Sequence, residues 1–183
     1  MEKPDFLATA LGYAGRGWWI FPCHTILGTT VDGQPRTACS CGRLDCSSPG
    51  KHPLPKNGFL DAACEPEQIK RWFARERSYQ PNIGIDCERS GLIVVDIDPR
   101  HGGDSSWSEL VERYGPQIEA GPKVLTGGGG AHCYFRNPAD VVIRSGANLL
   151  GRGIDIRAAG GYIIALPSRH ISGGEYHWAT DAR

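Results

Sequence analysis

The 183-residue chain has no long apolar run, no excess charge of either sign and no regular cysteine spacing. Each absence narrows what the protein can be. The start, Met1-Glu2-Lys3-Pro4-Asp5-Phe6, is acidic and polar, and Gly15-Arg16-Gly17 breaks the apolar residues that follow, so neither a signal peptide nor a membrane span is expected. The expectation is a cytoplasmic protein with no membrane partner. Lys plus Arg and Asp plus Glu each number 20, which excludes a net basic field; any nucleic-acid contact must come from a local patch. Seven cysteines is an odd count, and three of them fall between positions 39 and 46. Without an export signal, they suit metal ligation in a reducing compartment better than a disulfide framework. There is no internal repeat and no low-complexity tail, and the length fits one domain over 1–183 with a sizeable core.

Punctuation by Gly and Pro divides the chain. Residues 4–14 predict a helix stopped by Gly15, and 18–22 predict a strand. The stretch 23–58 is rich in Gly, Pro, Ser, Thr and Cys with little periodicity, and reads as a long loop insertion that needs an organiser such as a metal. Ile69, Trp72 and Phe73 give 66–76 the spacing of an amphipathic helix. Residues 82–86 and 92–97 read as adjacent strands, and Ser106-x-x-Glu109 offers a capping box for a helix to about Tyr114. Short strands at 123–126, 131–135, 153–157, 162–166 and 175–178 follow, separated by glycine-rich turns. The pattern predicts an α+β domain, a mostly antiparallel sheet covered by a few helices.

Gly91-Leu92-Ile93-Val94-Val95-Asp96-Ile97-Asp98-Pro99 is an apolar strand ending in two carboxylates two residues apart. Alternate side chains share a face, so Asp96 and Asp98 point one way while Val95 and Ile97 face the core. Two anions side by side are costly without a cation, and hard oxygen ligands favour Mg²⁺ or Mn²⁺ with a phosphate-bearing substrate. A solvated acidic turn before Pro99 is the plainer alternative. In Gly153-Ile154-Asp155-Ile156-Arg157 the isoleucines take one face, leaving Asp155 and Arg157 on the other. Asp155 is either a third ligand for one or two ions or a surface carboxylate paired with Arg157 or Arg152.

Thr126-Gly127-Gly128-Gly129-Gly130-Ala131-His132 spends four glycines between two strands, which suits close approach of backbone amides to an anion. It is no Walker loop, for no Lys-Ser/Thr follows and the chain continues into a strand. His132 at its exit is a phosphate-binding candidate or a structural strand histidine. Cys39, Cys41, Cys46 and His52 are first choice for a structural Zn²⁺ site, with His24 or Cys23 competing for the fourth place and free thiols as the alternative. Cys64, Cys87 and Cys133 fall in predicted regular structure and read as core thiols.

With these residues in view, the chain resembles the N-terminal domain of bifunctional DNA primase/polymerases, the prim-pol branch of the archaeo-eukaryotic primase superfamily. The resemblance spans nearly the whole chain. It rests on Trp19-Ile20-Phe21-Pro22, Pro49-Gly50-Lys51-His52-Pro53, Asn82-Ile83-Gly84-Ile85, Val94-Val95-Asp96-Ile97-Asp98-Pro99 and Gly128-Gly129-Gly130-Ala131-His132-Cys133-Tyr134-Phe135. Gly153-Ile154-Asp155-Ile156-Arg157, Gly160-Gly161-Tyr162 and Pro167-Ser168 complete it. It implies an RNA-recognition-motif-like sheet joined to a smaller α/β unit. It implies a template-dependent nucleotidyltransferase, a DNA primase or DNA polymerase module of a phage, plasmid or other mobile element, with Asp96, Asp98 and Asp155 binding two catalytic Mg²⁺ or Mn²⁺ ions. His132 then contacts the triphosphate, with Gly129 and Gly130 amides beside it where many superfamily members carry a serine in place of Gly130. Lys51, Arg157, Ser168 and Arg169 are nucleotide or template contacts. The implied partners are DNA template and primer, nucleoside triphosphates, and a separate helicase or helical priming accessory. Two other readings stand beside this one: a noncatalytic zinc-stabilised DNA-binding module, and a Mn-dependent sugar-nucleotide glycosyltransferase. Three carboxylates facing DNA would repel phosphate unless metals intervene, which ranks the noncatalytic module last.

Overall fold

A computed structural model of the protein describes residues 4–31, 34–74 and 79–179. In chain order the elements are α1 (Phe6–Ala14), β1 (Trp19–Cys23), β2 (Ile26–Val31), β3 (Gln34–Cys39), α2 (Pro66–Phe73), β4 (Asn82–Asp86), β5 (Leu92–Ile97), α3 (Gly103–Tyr114), β6 (Lys123–Leu125), β7 (Ala131–Arg136), β8 (Ile154–Arg157), β9 (Tyr162–Ala165) and β10 (His177–Trp178). They form a mixed α/β fold with wholly antiparallel strand pairing. One sheet has the order β1-β4-β9, a second β10-β6-β7-β5-β8, and β2-β3 is a separate hairpin.

Local chemistry accounts for the helices. The Asp5 carboxylate accepts from the Ala8 amide and starts α1, which ends at Gly15. Pro66 sits in the first turn of α2, where its missing N–H costs nothing, and Lys70 and Arg71 lie in the last turn. Phe6, Ala10 and Tyr13 of α1 and Ile69 and Phe73 of α2 are buried in one core with Ile20, Phe21, Ile83, Ile85 and Ile163 of the first sheet. Val94, Val124 and Tyr134 of the second sheet close the same core. On the far side of that second sheet, Val95, Ile97, Cys133, Ile154 and Ile156 pack against Trp107 of α3. β5 is thus covered on both faces, which is why it reads as a continuous apolar run.

Four expectations are corrected. Residues 23–58 are not all loop: the β2-β3 hairpin occupies much of the segment, and Cys23 bridges to Pro53. β4 and β5 are consecutive but lie in different sheets. Ser106 is no cap; α3 starts earlier, after Gly102, and the Ser106 hydroxyl donates to the Arg152 carbonyl. Cys64 lies outside regular structure, its thiol donating to the Trp18 carbonyl. The end of the expected 66–76 helix, residues 75–76, lies outside the described residues.

Candidate active site

The antiparallel register builds the site. Asp96 on β5 is opposite His132 on β7 and opposite Asp155 on β8, so the three side chains form one row from the middle strand of the five-stranded sheet to its β8 edge. Two residues along β8, Arg157 shares that face and reaches both carboxylates, 2.9 Å from Asp155 and 3.6 Å from Asp96. His132 Nε2 stands 3.5 Å from Asp96 on the other side. Burial pushes the Asp96 carboxyl up, but contact with His132 and the charges of Arg157 and Lys51 outweigh it and hold Asp96 below the usual carboxylate range. Asp96 is therefore an anion at neutral pH despite its burial.

Asp98 lies just beyond β5 and opens a 3-10 turn, Pro99–His101, by accepting from the Arg100 amide. Its carboxylate also accepts from the Arg100 side chain at 2.9 and 3.0 Å and meets His101 Nδ1 at 3.0 Å. Hydrogen bonding to Arg100, joined by His101, holds Asp98 far below the usual range. What brings Asp98 beside β8 is a close crossing of backbones. The Asp98 amide donates to the Gly153 carbonyl and the Gly103 amide to the Asp98 carbonyl, each at 2.9 Å, and a Cβ on Gly103 would sit 2.8 Å from Asp98 N and O. Only glycine admits that approach.

Asp155 is held by a residue that the sequence patterns did not single out. Asn148 has φ 55°, a left-handed conformation asparagine tolerates, and its amide donates to Asp155 Oδ1 at 3.0 Å. Its own Oδ1 accepts from the Gly153 amide at 2.7 Å. A loop running from Ala147 to Gly153 thereby becomes one wall of a cavity of about 460 Å³ that contains Asp96, Asp98, Asp155 and Arg157. A second compartment, about 340 Å³, has Phe59, Tyr162, Gly160 and Gly161 on its walls, and a small third one has Arg100, Thr126, Gly128 and His170. Lys51 and Asp96 line all three, which makes them parts of one cleft. Burial lowers the Lys51 pKa, and the neighbouring Asp96 and Asp98 charges oppose that shift. His170 is a further histidine on this wall. Its Nδ1 accepts from the Ser172 amide at 3.2 Å, which leaves the neutral ring's proton on Nε2, and burial with Lys51 and Arg100 nearby pushes its pKa down.

The four-glycine turn is tight and mostly self-satisfied. Thr126 N donates to Gly130 O, Gly129 N to Thr126 O, and Gly130 N to Thr126 Oγ1. A Cβ at Gly130 would overlap the Ile97 carbonyl and come within 3.2 Å of Thr126 Oγ1. A hydroxyl thus lies beside the Gly130 position, supplied by Thr126 from across the turn. Ser168 is fully buried, and its Oγ accepts from the Ile83 amide; Arg169 is exposed near Glu175, at 3.9 Å. Neither lines the three compartments.

Against the edge of the cleft stands a second constellation. Ligand atoms of Cys39, Cys41, Cys46 and His52 all lie within 4.8 Å of one another. His52 Nε2 is 3.4 Å from Cys39 Sγ and 3.6 Å from Cys46 Sγ. Tetrahedral zinc with Zn–S of about 2.3 Å needs separations of about 3.5–3.8 Å, and a three-thiolate, one-imidazole set is chemistry that zinc takes. These four residues can hold zinc. His24 and Cys23 are outside the cluster: His24 stacks on His52 at 4.2 Å with Nδ1 at Ser40 Oγ, and Cys23 is buried with its thiol pKa raised by burial. The Gly50 amide donates to Cys39 Sγ, and Tyr162 OH donates to the Lys51 carbonyl, so the cluster and the first sheet together fix Lys51 over the carboxylates.

No helix among the described residues is long and apolar enough to cross a membrane. No curated protein matches the chain. The family described as bifunctional DNA primase/polymerase, N-terminal (Prim-Pol), matches residues 10–183, a span that contains the carboxylate row, the glycine turn and the cysteine cluster. Such a domain belongs to nucleotidyltransferases of the DNA primase/polymerase type, with DNA and nucleotides as substrates. A match over that length, on a fold whose cleft gathers carboxylates with cationic side chains, makes the chain a member of the Prim-Pol family.

Proposed function

We propose that the chain is a template-dependent nucleotidyltransferase that joins an incoming nucleoside triphosphate to a primer 3′-hydroxyl on a DNA template. The observation that carries this reading is the row His132–Asp96–Asp155, with Asp98 two residues beyond Asp96, facing a single cleft. Asp96, Asp98 and Asp155 are hard carboxylate donors on one cavity, of the chemistry Mg²⁺ and Mn²⁺ take, and they are the residues that would hold two such ions in exchange for their present contacts with Arg100 and Arg157. Ions bound there supply activation of the attacking hydroxyl and neutralisation of charge on the leaving pyrophosphate.

The chain's own cations divide the remaining work. Lys51 and Arg157, both on the cleft wall, bind phosphate oxygens, and Arg100 and the His170 Nε2–H extend that anion-binding wall toward the glycine turn. His132 faces the same cleft and, through Asp96, keeps that carboxylate ionised. The compartment between Phe59, Tyr162 and Gly160-Gly161 is the place for the sugar and base, since aromatic faces and bare backbone admit a flat ring. On this reading the five-stranded sheet with α3 behind it is the RNA-recognition-motif-like part, and the chain serves replication of a phage, plasmid or other mobile element beside a separate helicase.

A primer-extension assay with Mg²⁺ or Mn²⁺ tests it, run with and without primer on wild type and on Asp96→Asn and Asp155→Asn. Loss of roughly 10³-fold or more in each variant is expected. Product in the unprimed lane adds primer synthesis to the activity. Wild-type protein that binds template but incorporates nothing refutes catalysis and favours the noncatalytic binding module.

A further inference from the structure

A concavity larger than any of the three cleft compartments has no part in the cleft. It is a groove of about 1020 Å³ at the other end of the five-stranded sheet, where Leu92 starts β5 and Arg136 ends β7. Leu92 and Asp96 are four steps apart on β5, about 13 Å at the strand rise. The groove is aromatic and cationic together. Tyr13, Trp18 and Tyr134 stack in series at 5.4 and 6.0 Å with interplanar angles of 18° and 11°, and Trp178 continues the series at 6.0 Å and 52°. Trp178 is the outermost ring, 41% exposed on an edge strand. Arg16 and Arg136 flank it. The Arg136 guanidinium has no ion pair or hydrogen bond among the described residues, and Arg16 has a 3.4 Å bond to its own helix at Gly12. Among the described residues no Asp or Glu lines the groove.

We propose that this groove is a second binding site for single-stranded nucleic acid, holding an unstacked base against Trp178 and phosphates on Arg16 and Arg136. Base-on-indole stacking is tolerant of sequence, and two guanidiniums with no ion pair among the described residues match a phosphate backbone in charge. Neither a basic peptide nor a neutral lipid would use both features. Asn137 adds a polar group at the same wall, its Oδ1 buried without a protein partner among the described residues. Such a site would hold the strand away from the reacting end and keep the template on the domain between incorporations. The inference rests on the reading that the chain acts on nucleic acid, and binding is measured without nucleotide or catalytic metal so that the two can fail separately.

The test is fluorescence anisotropy with a labelled oligothymidylate of about 12 nucleotides, within the range that single-strand sites cover, titrated at several salt concentrations. For the double variant R16A/R136A, the slope of log K against log salt is expected to be shallower by about 1.4, two phosphates at about 0.7 each. W178A is expected to bind about 5- to 100-fold more weakly. An oligonucleotide carrying 5-iododeoxyuridine should crosslink to the peptide bearing Trp178. Should W178A fail to fold, the double arginine variant decides alone. Unchanged slope and affinity in R16A/R136A, with crosslinks confined to the carboxylate cleft, overturns the proposal. So do groove variants that bind the oligonucleotide like wild type yet lose a protein partner. Crosslinking at Trp178 by a protein that extends no primer sustains the groove and removes the polymerase reading.

Discussion

Asn82 is where the metal loop, the first sheet and the segment after β9 are tied together, and replacing it gives a worked estimate. Its carboxamide is fully buried, and both of its polar atoms are hydrogen-bonded twice. Oδ1 accepts from Thr25 Oγ1 at 3.0 Å and from Arg169 N at 2.9 Å, while Nδ2 donates to the carbonyls of Gly50 and Arg169, each at 2.8 Å. Asn82→Ala orphans all of these partners, and at about 1 kcal/mol net for each bond the loss is about 4 kcal/mol. That is a large share of the roughly 5–15 kcal/mol that holds a domain of this size. Asn82→Asp keeps the shape but turns an anion toward two carbonyl oxygens. Burial there raises the carboxyl pKa above its unfolded value of about 3.9. The folded state then keeps its proton to higher pH than the unfolded state. The penalty of the Asn82→Asp change is smallest below about pH 4, grows as pH rises through the folded pKa, and is complete above it. Urea titrations of wild type and both variants at about pH 5.5 and about pH 8 measure this, with m-values compared to check two-state behaviour. A loss under about 1 kcal/mol for Asn82→Ala, or an Asn82→Asp deficit equal at both pH values, refutes the assignment.

Protein purified without chelator should carry about one zinc by mass spectrometry. Cys46→Ser should carry less than about half an equivalent and lose primer-extension activity through displaced Lys51, and a full equivalent in that variant would remove Cys46 from the ligand set. Gly84→Ala should destabilise by about 3 kcal/mol in urea, since a Cβ there would overlap the buried Phe21 ring, and a neutral result would show that the ring moves aside freely. Burial pushes the Cys133 and Cys87 thiols up to about 11 and about 12, so neither should react with iodoacetamide in folded protein at about pH 8, whereas both react in urea; peptide mapping reads the difference.

Alternation made the end of β5 and the whole of β8 readable: Val95 and Ile97, then Ile154 and Ile156, face one core and leave Asp96 and Asp155 together on the other side. Pairing was not readable in the same way. β4 and β5 follow each other through a tight turn at Gly91, yet one pairs with β1 and β9 and the other with β7 and β8; burial of all of β4, and the unbroken apolar start of β5, leave no alternation there to tell the sheets apart. The hairpin within 23–58 was hidden by composition, since Thr29, Thr30, Gln34 and Arg36 carry no apolar stripe. Of the site, the carboxylates, Arg157 and the four residues that could hold zinc stand out by residue type and spacing. Asn148, His170 and Asn82 do not. Their roles depend on a left-handed backbone, a tautomer fixed by Ser172 and a buried amide, none of which leaves a mark in local sequence.

The cysteine loop also gives a physical reason for the proposed zinc so close to the cleft. Among the residues from Ser40 to Lys51 no apolar side chain is buried, Leu44 is fully exposed, and Gly50 is the sole buried position. Ordering that backbone costs about 12 kcal/mol at about 1 kcal/mol per residue, and the loop has no hydrophobic burial to offset it. Structural zinc supplies about 10–16 kcal/mol in small sites of this kind, which is the right size. With zinc bound, the return would go to Lys51, for it lies between the Gly50 carbonyl held by Asn82 and His52 of the cluster, and its own carbonyl is held by Tyr162. A lysine fixed at both neighbours and at its own backbone has little freedom left except along its side chain, which enters the cleft beside Asp96 and Asp98. Loss of the metal should therefore weaken phosphate binding before it unfolds the sheets, since neither core draws a residue from Ser40 to Lys51. In a chelator titration, substrate affinity should fall while the urea midpoint of the remaining domain persists. Simultaneous loss of both would mean that the loop and the cores fold as one unit.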